Sequence, residues 1–117
     1  KDHLFNNVIV AVTYEEHKKG LMHQGWPPPV MVFPYKRAMM RRFWMKDTPS
    51  PLDIIFCKNK NIIGIYRGEP YSLIGVGPNE PSDLVIEVPA GIVDRLNIKI
   101  GDNIDIKYSK YIPWYTK

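Results

Sequence analysis

Short runs of β-branched and aromatic residues recur along the chain between turn residues, and no segment keeps a helical period over four turns. Eleven prolines and eight glycines are spread over the whole length, and proline is excluded from helix interiors and from central strand positions. The pattern therefore predicts a mainly β protein with little helix. The candidate strands are Asn7–Tyr14, Val30–Tyr35, Arg42–Met45, Ile54–Cys57, Ile62–Arg67, Leu84–Val88 and Asn103–Tyr108.

A β-hairpin is predicted between Ile54–Cys57 and Ile62–Arg67. The connecting residues read Lys58-Asn59-Lys60-Asn61, and asparagine tolerates the positive φ angles that tight turns require.

Two short helices are also predicted. The first covers residues 15–19, with Thr13 as its cap and Gly20 as its end. The second covers Ala90–Asn97, and Gly101-Asp102 then turns the chain into a last strand. This succession of a strand, a short helix, a Gly-Asp turn and a second strand recurs in small β-barrels, but a likeness of fold does not indicate a function.

The length of 117 residues predicts one domain, 1–117, large enough to bury a core. The composition is typical of a soluble globular protein. No apolar run approaches the roughly 18 residues of a membrane span, and the sequence itself shows no signal peptide. Because the sequence does not begin with Met, we expect a trimmed or processed chain, and an export signal or anchor could precede Lys1.

Positive charge is concentrated in the first half of the chain. Residues 1–60 hold ten Lys and Arg against five acids, which gives +5, and residues 61–117 hold six against seven, which gives −1. The stretch 35–46, YKRAMMRRFWMK, contains five cations and no acid. Basic side chains interleaved with aromatic rings suit single-stranded nucleic acid, with Lys36, Arg37, Arg41 and Arg42 as the candidate contacts. A solvated loop is the plainer alternative.

Residues 43–56 read FWMKDTPSPLDIIF, which closely resembles the signature of the family known as domain of unknown function 192. That signature runs Phe-Trp-Met-Lys-Asn-Thr, a short spacer and Pro-Leu-Asp-Ile-Ile-Phe, and this chain has Asp47 in place of the asparagine. Several spaced blocks in the family's order, over about residues 8–106, are more specific than one motif. The other blocks are Val8–Ala11, Gly20-Leu21-Met22, Met31-Val32-Phe33, Glu87-Val88-Pro89-Ala90-Gly91 and Ile98–Asp102.

The resemblance implies a compact all-β domain, a β-sandwich or barrel of jelly-roll-like form, with residues 107–117 as an aromatic C-terminal tail. It implies no established activity, and relatives are often exported or lipid-anchored in bacteria. This chain departs from relatives in two places: His23-Gln24 stands where they often have an arginine nearby, and Asp47 replaces an amide. Chemistry that depends on those positions would differ here.

Asp47 and Asp53 lie six residues apart around Pro49 and Pro51. Paired carboxylates can serve acid–base chemistry on glycosidic bonds or hold a hard cation. Turn carboxylates that bond nearby backbone amides are the favoured interpretation. The enzymatic alternative is a hydrolase or transferase that uses Asp47, Asp53 and Lys46, and it requires an environment that lowers the pKa of the lysine.

Trp44 and Met45 face opposite sides of a regular strand, so one should enter the core and the other could line a pocket or an interface. An exposed tryptophan face stacks on a sugar, a base or a cation. The leading hypothesis is a non-catalytic binding or accessory module for a small polar, carbohydrate-like or anionic ligand, with a protein partner as another possibility. Its candidate ligand-binding residues are Trp44, Lys46, Asp47, Thr48 and Asp53.

No metal and no cofactor are predicted, because the three histidines lack the spacing of a zinc site and no phosphate loop or nucleophile elbow occurs. Cys57, the single cysteine, ends an apolar run and is predicted to be a buried, inert thiol. Tyr111, Trp114 and Tyr115 predict that the tail docks onto the domain or onto a second copy as a homo-oligomer.

Overall fold

The computed structural model describes residues 1–5 and 8–106, which form one curled sheet and two short helices. The described residues contain seven strands. In chain order the elements are β1 (Asp2–Phe5), β2 (Ile9–Val10), α1 (Tyr14–Lys19), β3 (Met31–Met39), β4 (Leu52–Lys58), β5 (Asn61–Gly68), β6 (Ser82–Pro89), α2 (Ile92–Arg95) and β7 (Asn103–Ile106).

The spatial order of the strands is β1-β7-β5-β4-β6-β3-β2. The central pairs β5–β4, β4–β6 and β6–β3 are antiparallel, whereas the outer pairs β1–β7 and β2–β3 are parallel. Strand β4 is buried from Leu52 to Cys57, because side chains alternate between the two faces and both faces are covered.

Each face of the sheet carries its own hydrophobic cluster. On β6, Ile86 and Val88 belong to one cluster, while Val85 belongs to the other. Glu87 shares the face of Val85 by the alternation of the strand, so a carboxyl group stands where an apolar side chain would continue the core.

The predicted hairpin is confirmed by the pairing of β4 with β5 and by its turn residues. Asn59 and Lys60 adopt φ angles of 49° and 68°, the conformation of the two-residue turns that match the twist of a hairpin.

The first predicted helix is confirmed, with a capping box at its start. The Thr13 hydroxyl accepts a hydrogen bond from the Glu16 amide at 3.1 Å, and the Glu16 carboxylate accepts bonds from the amides of Val12 and Thr13, both at 2.9 Å. Each partner satisfies backbone donors that a helix start leaves open, so a helix of six residues is fixed in place.

Several predicted elements differ from the structure in extent; in the strand predicted over Asn7–Tyr14, for example, the structure has only β2, Ile9–Val10, and Tyr14 begins α1. The segment Arg42–Met45 forms only an isolated bridge between Phe43 and Val76, because it lies as a loop over the sheet. The second helix shortens to α2, and β1 was not predicted. The predictions for Asn7 and for residues 107–117 fall outside the described residues.

The prediction of a mainly β fold with short helices is confirmed. The finer prediction of a jelly-roll-like sandwich and that of a single domain over 1–117 stay predictions. None of the helices among residues 1–5 and 8–106 is long and apolar enough to cross a membrane.

Candidate functional site

A pocket of about 410 Å³ opens between α1, β3, the segment 42–44 and β6. Its volume lies within the roughly 300–1,000 Å³ of small-molecule sites. Aromatic side chains form much of its wall, and Glu87 is the single acidic residue among the described residues that line it. The lining residues are Tyr14, His17, Lys18, Lys19, Gly20, Leu21, Met22, Phe33, Tyr35, Arg42, Phe43, Trp44 and Glu87.

Glu87 places a carboxyl group at the buried side of this pocket. Its side chain is only 4% exposed, and within the described part of the chain its Oε1 atom has no hydrogen-bond partner. Burial raises the pKa of Glu87 from its ordinary 4.5 to about 8, because a charged carboxylate loses its hydration in the interior. The group is therefore mainly protonated at pH 7, and it can both donate and accept a hydrogen bond.

Helix α1 supplies one wall of the pocket and is tied to the sheet by His17. The Nε2 atom of His17 donates a hydrogen bond to the Ala11 carbonyl at 2.7 Å. The imidazole ring also packs edge-to-face on Phe33 and Tyr35, with centroids 5.6 and 4.8 Å away. These contacts fix the ring, so the wall has a defined shape without a ligand.

The aromatic wall continues as a series of edge-to-face pairs. Phe33 meets Phe43 at 5.0 Å, Phe43 meets Phe56 at 5.7 Å, and Phe56 meets Tyr66 at 5.6 Å. Each ring in the series holds the next in one orientation, because this geometry aligns the positive edge of one ring with the negative face of another. The loop segment 42–44 is thereby anchored to the sheet.

Tyr35, the first residue of the basic stretch, lines the same pocket as Glu87. The pKa of Tyr35 is raised to about 12, chiefly by burial, while the Arg41 guanidinium lowers it and the Glu87 carboxylate raises it. That guanidinium lies over the Tyr35 ring, 3.3 Å from its centroid. Tyr35 therefore keeps its hydroxyl proton at neutral pH, with a cation over its ring.

Gly20 ends α1 at the side of the pocket that faces Glu87. Its φ of 50° and ψ of −130° suit glycine alone, and a Cβ atom added there would lie 3.5 Å from Glu87 Oε1 and 3.6 Å from Phe33 Cζ. The missing side chain is part of what keeps the pocket open beside the carboxyl group.

Gly20→Ala is expected to lower the free energy of unfolding by about 1–3 kcal/mol, because the backbone conformation is strained for any residue with a Cβ atom. Urea denaturation measures this loss. The control is Gly25→Ala, where an added Cβ atom would meet nothing within 4 Å. Equal effects of the two substitutions would contradict this account of Gly20.

The segment FWMKDT forms a corner that the loop 69–76 holds in place. The Phe43 amide donates to the Val76 carbonyl at 2.9 Å, and the Met45 amide donates to the Ser72 carbonyl at 2.8 Å. Met45 enters the core at 2% exposure, while Trp44 stays 49% exposed at the pocket. Of the five predicted ligand-binding residues, Trp44 alone lines the pocket.

Lys46, Asp47 and Thr48 form the turn of this corner. Lys46 is exposed, with its Nζ atom 5.5 Å from the centroid of Trp44. Asp47 is exposed with a φ of 54°, and its carbonyl accepts a hydrogen bond from the His23 amide at 2.7 Å. Thr48 is buried, and its hydroxyl donates to the Lys46 carbonyl at 3.0 Å.

Asp53 is used elsewhere, as a cap for α2. One carboxylate oxygen accepts hydrogen bonds from the amides of Gly91 and Val93 at 2.9 and 3.1 Å, and the other accepts one from Arg67 at 2.9 Å. Among the described residues, Asp53 forms no hydrogen bond or ion pair with Lys46 or Asp47. The three residues of the hydrolase or transferase alternative are therefore not joined in one cluster.

Two arginines of the basic stretch, Arg41 and Arg42, bind backbone carbonyls of the protein itself. Arg41 donates to the carbonyls of Ser82 and Arg37 at 2.9 and 2.6 Å, and Arg42 donates to Pro78 at 2.8 Å. Arg42 also bonds the Asn79 side chain and lines the pocket. Lys36 and Arg37 are exposed at the end of β3.

Over residues 1–5 and 8–106, no cluster of three or more His, Cys, Asp or Glu side chains has the geometry to hold a metal ion. Cys57 is buried, and burial raises the pKa of its thiol to about 12, so the thiolate needed for nucleophilic chemistry is not formed. The burial of Cys57 that the sequence predicts is confirmed, and this burial accounts for an unreactive thiol.

Glu87 was missed as a candidate residue, although it stands in one of the blocks that carry the resemblance. The usable signal was an acid within the apolar run of β6, Ser82–Pro89. An acid at an inward position of a strand is rare unless it is paired or functional. The sequence does not show which face of β6 is inward beside the pocket, because that depends on the neighbours β3 and β4.

The fold and the pocket together define a small, mainly β protein with a site of small-molecule size. The chain belongs to the family DUF192, described as "Uncharacterized ACR", whose model matches residues 1–106. The resemblance drawn from the sequence is thereby confirmed.

Relatives with solved structures share the fold. A protein of unknown function from Novosphingobium aromaticivorans is 33% identical, with a TM-score of 0.77 over 82% of this chain and 71% of that one. A proposed transcription regulator from Sinorhizobium meliloti is also 33% identical, with a TM-score of 0.76 over 82% of this chain and 78% of that one. A UPF0127 protein of Thermococcus sibiricus is 28% identical over 84% of this chain, which spans 64% of that relative's length.

Proposed function

We propose that the protein is a non-catalytic binding module that holds a small, carbohydrate-like ligand between Trp44 and Glu87. The observation that carries the proposal is the buried Oε1 atom of Glu87, which lacks a hydrogen-bond partner among the described residues and borders an open pocket. An unsatisfied buried polar atom lowers stability. A ligand hydroxyl group at this place would remove that cost.

The walls of the pocket support a sugar-like ligand. The exposed Trp44 and the partly buried Phe43 offer apolar surfaces on which the C–H faces of a sugar ring can pack, while Glu87 offers a donor and an acceptor for hydroxyl groups. A few polar groups within an aromatic pocket are typical of small-molecule sites.

A binding role is favoured over a catalytic one by the number of acids. Glycosidic hydrolysis uses two carboxyl groups that flank the bond, and Glu87 is the single acid among the described residues that line the pocket. Asp53 is engaged by α2 and Arg67, and Asp47 lies on the exposed turn. Single-stranded nucleic acid along Lys36–Lys46 is the different-class alternative, but Arg41 and Arg42 are already bound to backbone carbonyls.

The test is an amide NMR titration with neutral monosaccharides, organic anions and short single-stranded oligonucleotides. We expect saturable shifts at Gly20, Phe33, Trp44 and Glu87 with saccharides. Shifts confined to Lys36–Lys46, caused by oligonucleotides and lost steeply with salt, would contradict the proposal and favour nucleic acid.

Trp44→Ala is expected to weaken saccharide binding by about 3–10-fold, because one stacking face is lost. The matched control is Trp26→Ala: Trp26 is 59% exposed, against 49% for Trp44, and it does not line the pocket. Equal affinities of the two variants would remove Trp44 from the site.

A further inference from the structure

The charges around the pocket are arranged asymmetrically. Lys18, Lys19 and Arg42 lie on its exposed side and are called here the cationic rim. At the buried side stands Glu87, whose carboxyl group is held mainly neutral at pH 7 by its burial. The lining thus combines uncharged polar groups, the carboxyl group of Glu87 and the hydroxyl group of Tyr35, with three cations on the exposed side.

This arrangement discriminates between classes of ligand. An organic ammonium ion would be repelled by the cations of the rim. The mostly uncharged carboxyl group of Glu87 would give it little compensating attraction. A neutral sugar would satisfy Glu87 but leave the rim unused. A molecule that carries hydroxyl groups at one end and an acid group at the other satisfies both regions, because opposite charges attract across a partly desolvated pocket.

We propose that the ligand is a small acidic saccharide of the uronic acid class, which places a hydroxyl group on Glu87 and its carboxylate at the cationic rim. This assignment rests on the proposed function and specifies its ligand. The aromatic wall between the two regions holds the ring of the sugar. The acid group need not displace the hydrogen bonds of Arg42 to Pro78 and Asn79, since electrostatic attraction acts without direct contact.

The experiment compares glucuronic acid with its methyl ester, which has the same hydroxyl groups and no charge, in NMR titrations of the full 117-residue chain at low salt. We expect both to shift the amide signals of Gly20, Phe33 and Glu87, with the ester binding roughly 10-fold more weakly because it lacks the charge that the rim attracts. The difference should shrink as salt is added, because exposed charges are screened.

Lys18→Glu tests the rim directly. It should weaken binding of the acid by roughly 3–20-fold, since an attraction is replaced by a repulsion, and leave the ester nearly unaffected. Lys58→Glu is the matched control, because it makes the same change of net charge on the exposed end of β4, away from the pocket.

The outcomes separate the two proposals. Equal affinities of acid and ester, or equal losses in Lys18→Glu and Lys58→Glu, would overturn the acidic ligand and leave the pocket to neutral sugars. If neither compound produces saturable shifts at Gly20, Phe33 and Glu87, and neutral monosaccharides also fail, both this assignment and the proposed function are overturned.

Discussion

Glu87→Gln is expected to make the protein more stable at pH 8, and to change its stability little near pH 4.5. The pKa of Glu87 is raised from 4.5 to about 8 by burial, so between these values the folded protein keeps a proton that the unfolded chain releases. Stability then falls as pH rises through this window, with a slope approaching about 1.4 kcal/mol per pH unit. Glutamine cannot ionise, and the variant should lack this part of the slope.

Urea denaturation of both proteins at pH 5, 6, 7 and 8 measures the effect as a difference that grows with pH. The control, Glu80→Gln, removes a negative charge from an exposed position and accounts for the change in net charge. Parallel stability curves for Glu87→Gln and the unmodified protein would show that the carboxyl group is ionised in the folded state throughout, and the donor role proposed for it would be lost.

The second large effect is expected at Asp53. Asp53→Ala should lower the free energy of unfolding by about 2–4 kcal/mol, because the amides of Gly91 and Val93 lose their acceptor. Loss of the pair with Arg67 adds little, since that side chain is 48% exposed. Asp53→Asn keeps an acceptor oxygen and should have an intermediate effect.

Asp47→Gly is the matched comparison for Asp53, because Asp47 is exposed with a φ of 54° that glycine adopts freely. We expect a change within about 0.5 kcal/mol. Urea denaturation ranks the three variants. A loss for Asp53→Ala as small as that for Asp47→Gly would contradict the cap and would reopen a functional role for the carboxylate.

Local features of the fold could be predicted from the sequence because their causes are local. The Lys58–Asn61 turn and the Thr13 cap depend on residues within four positions of each other. β1 was not predicted, since it is stabilised by β7, about 100 residues away in the chain. The strand expected at Arg42–Met45 was reduced to one bridge because its partner is a loop around Val76.

The candidate site could be predicted only in part, because some of its residues are brought together by long-range packing. The motif drew attention to Trp44, which does lie at the pocket, and to Asp53, whose hydrogen bonds are those of a cap. Glu87 and Gly20 come together only through the tertiary fold, which places the end of α1 beside the Glu87 carboxyl group. Neither the apolar pattern nor a short motif contains that long-range information, although both residues stand in the blocks shared with the family.

The pairing of β1 with β7 has a consequence for the order in which the chain can acquire its structure during translation. Strand β1 is synthesised about 100 residues before β7, residues 103–106, which is its only hydrogen-bonded neighbour among the described strands. Until those residues have been made, one edge of the growing sheet stays unpaired and open to other chains. The closing step joins segments far apart in sequence, which makes it a slow event by loop-closure entropy. The central hairpin β4–β5, by contrast, can form as soon as its turn is synthesised.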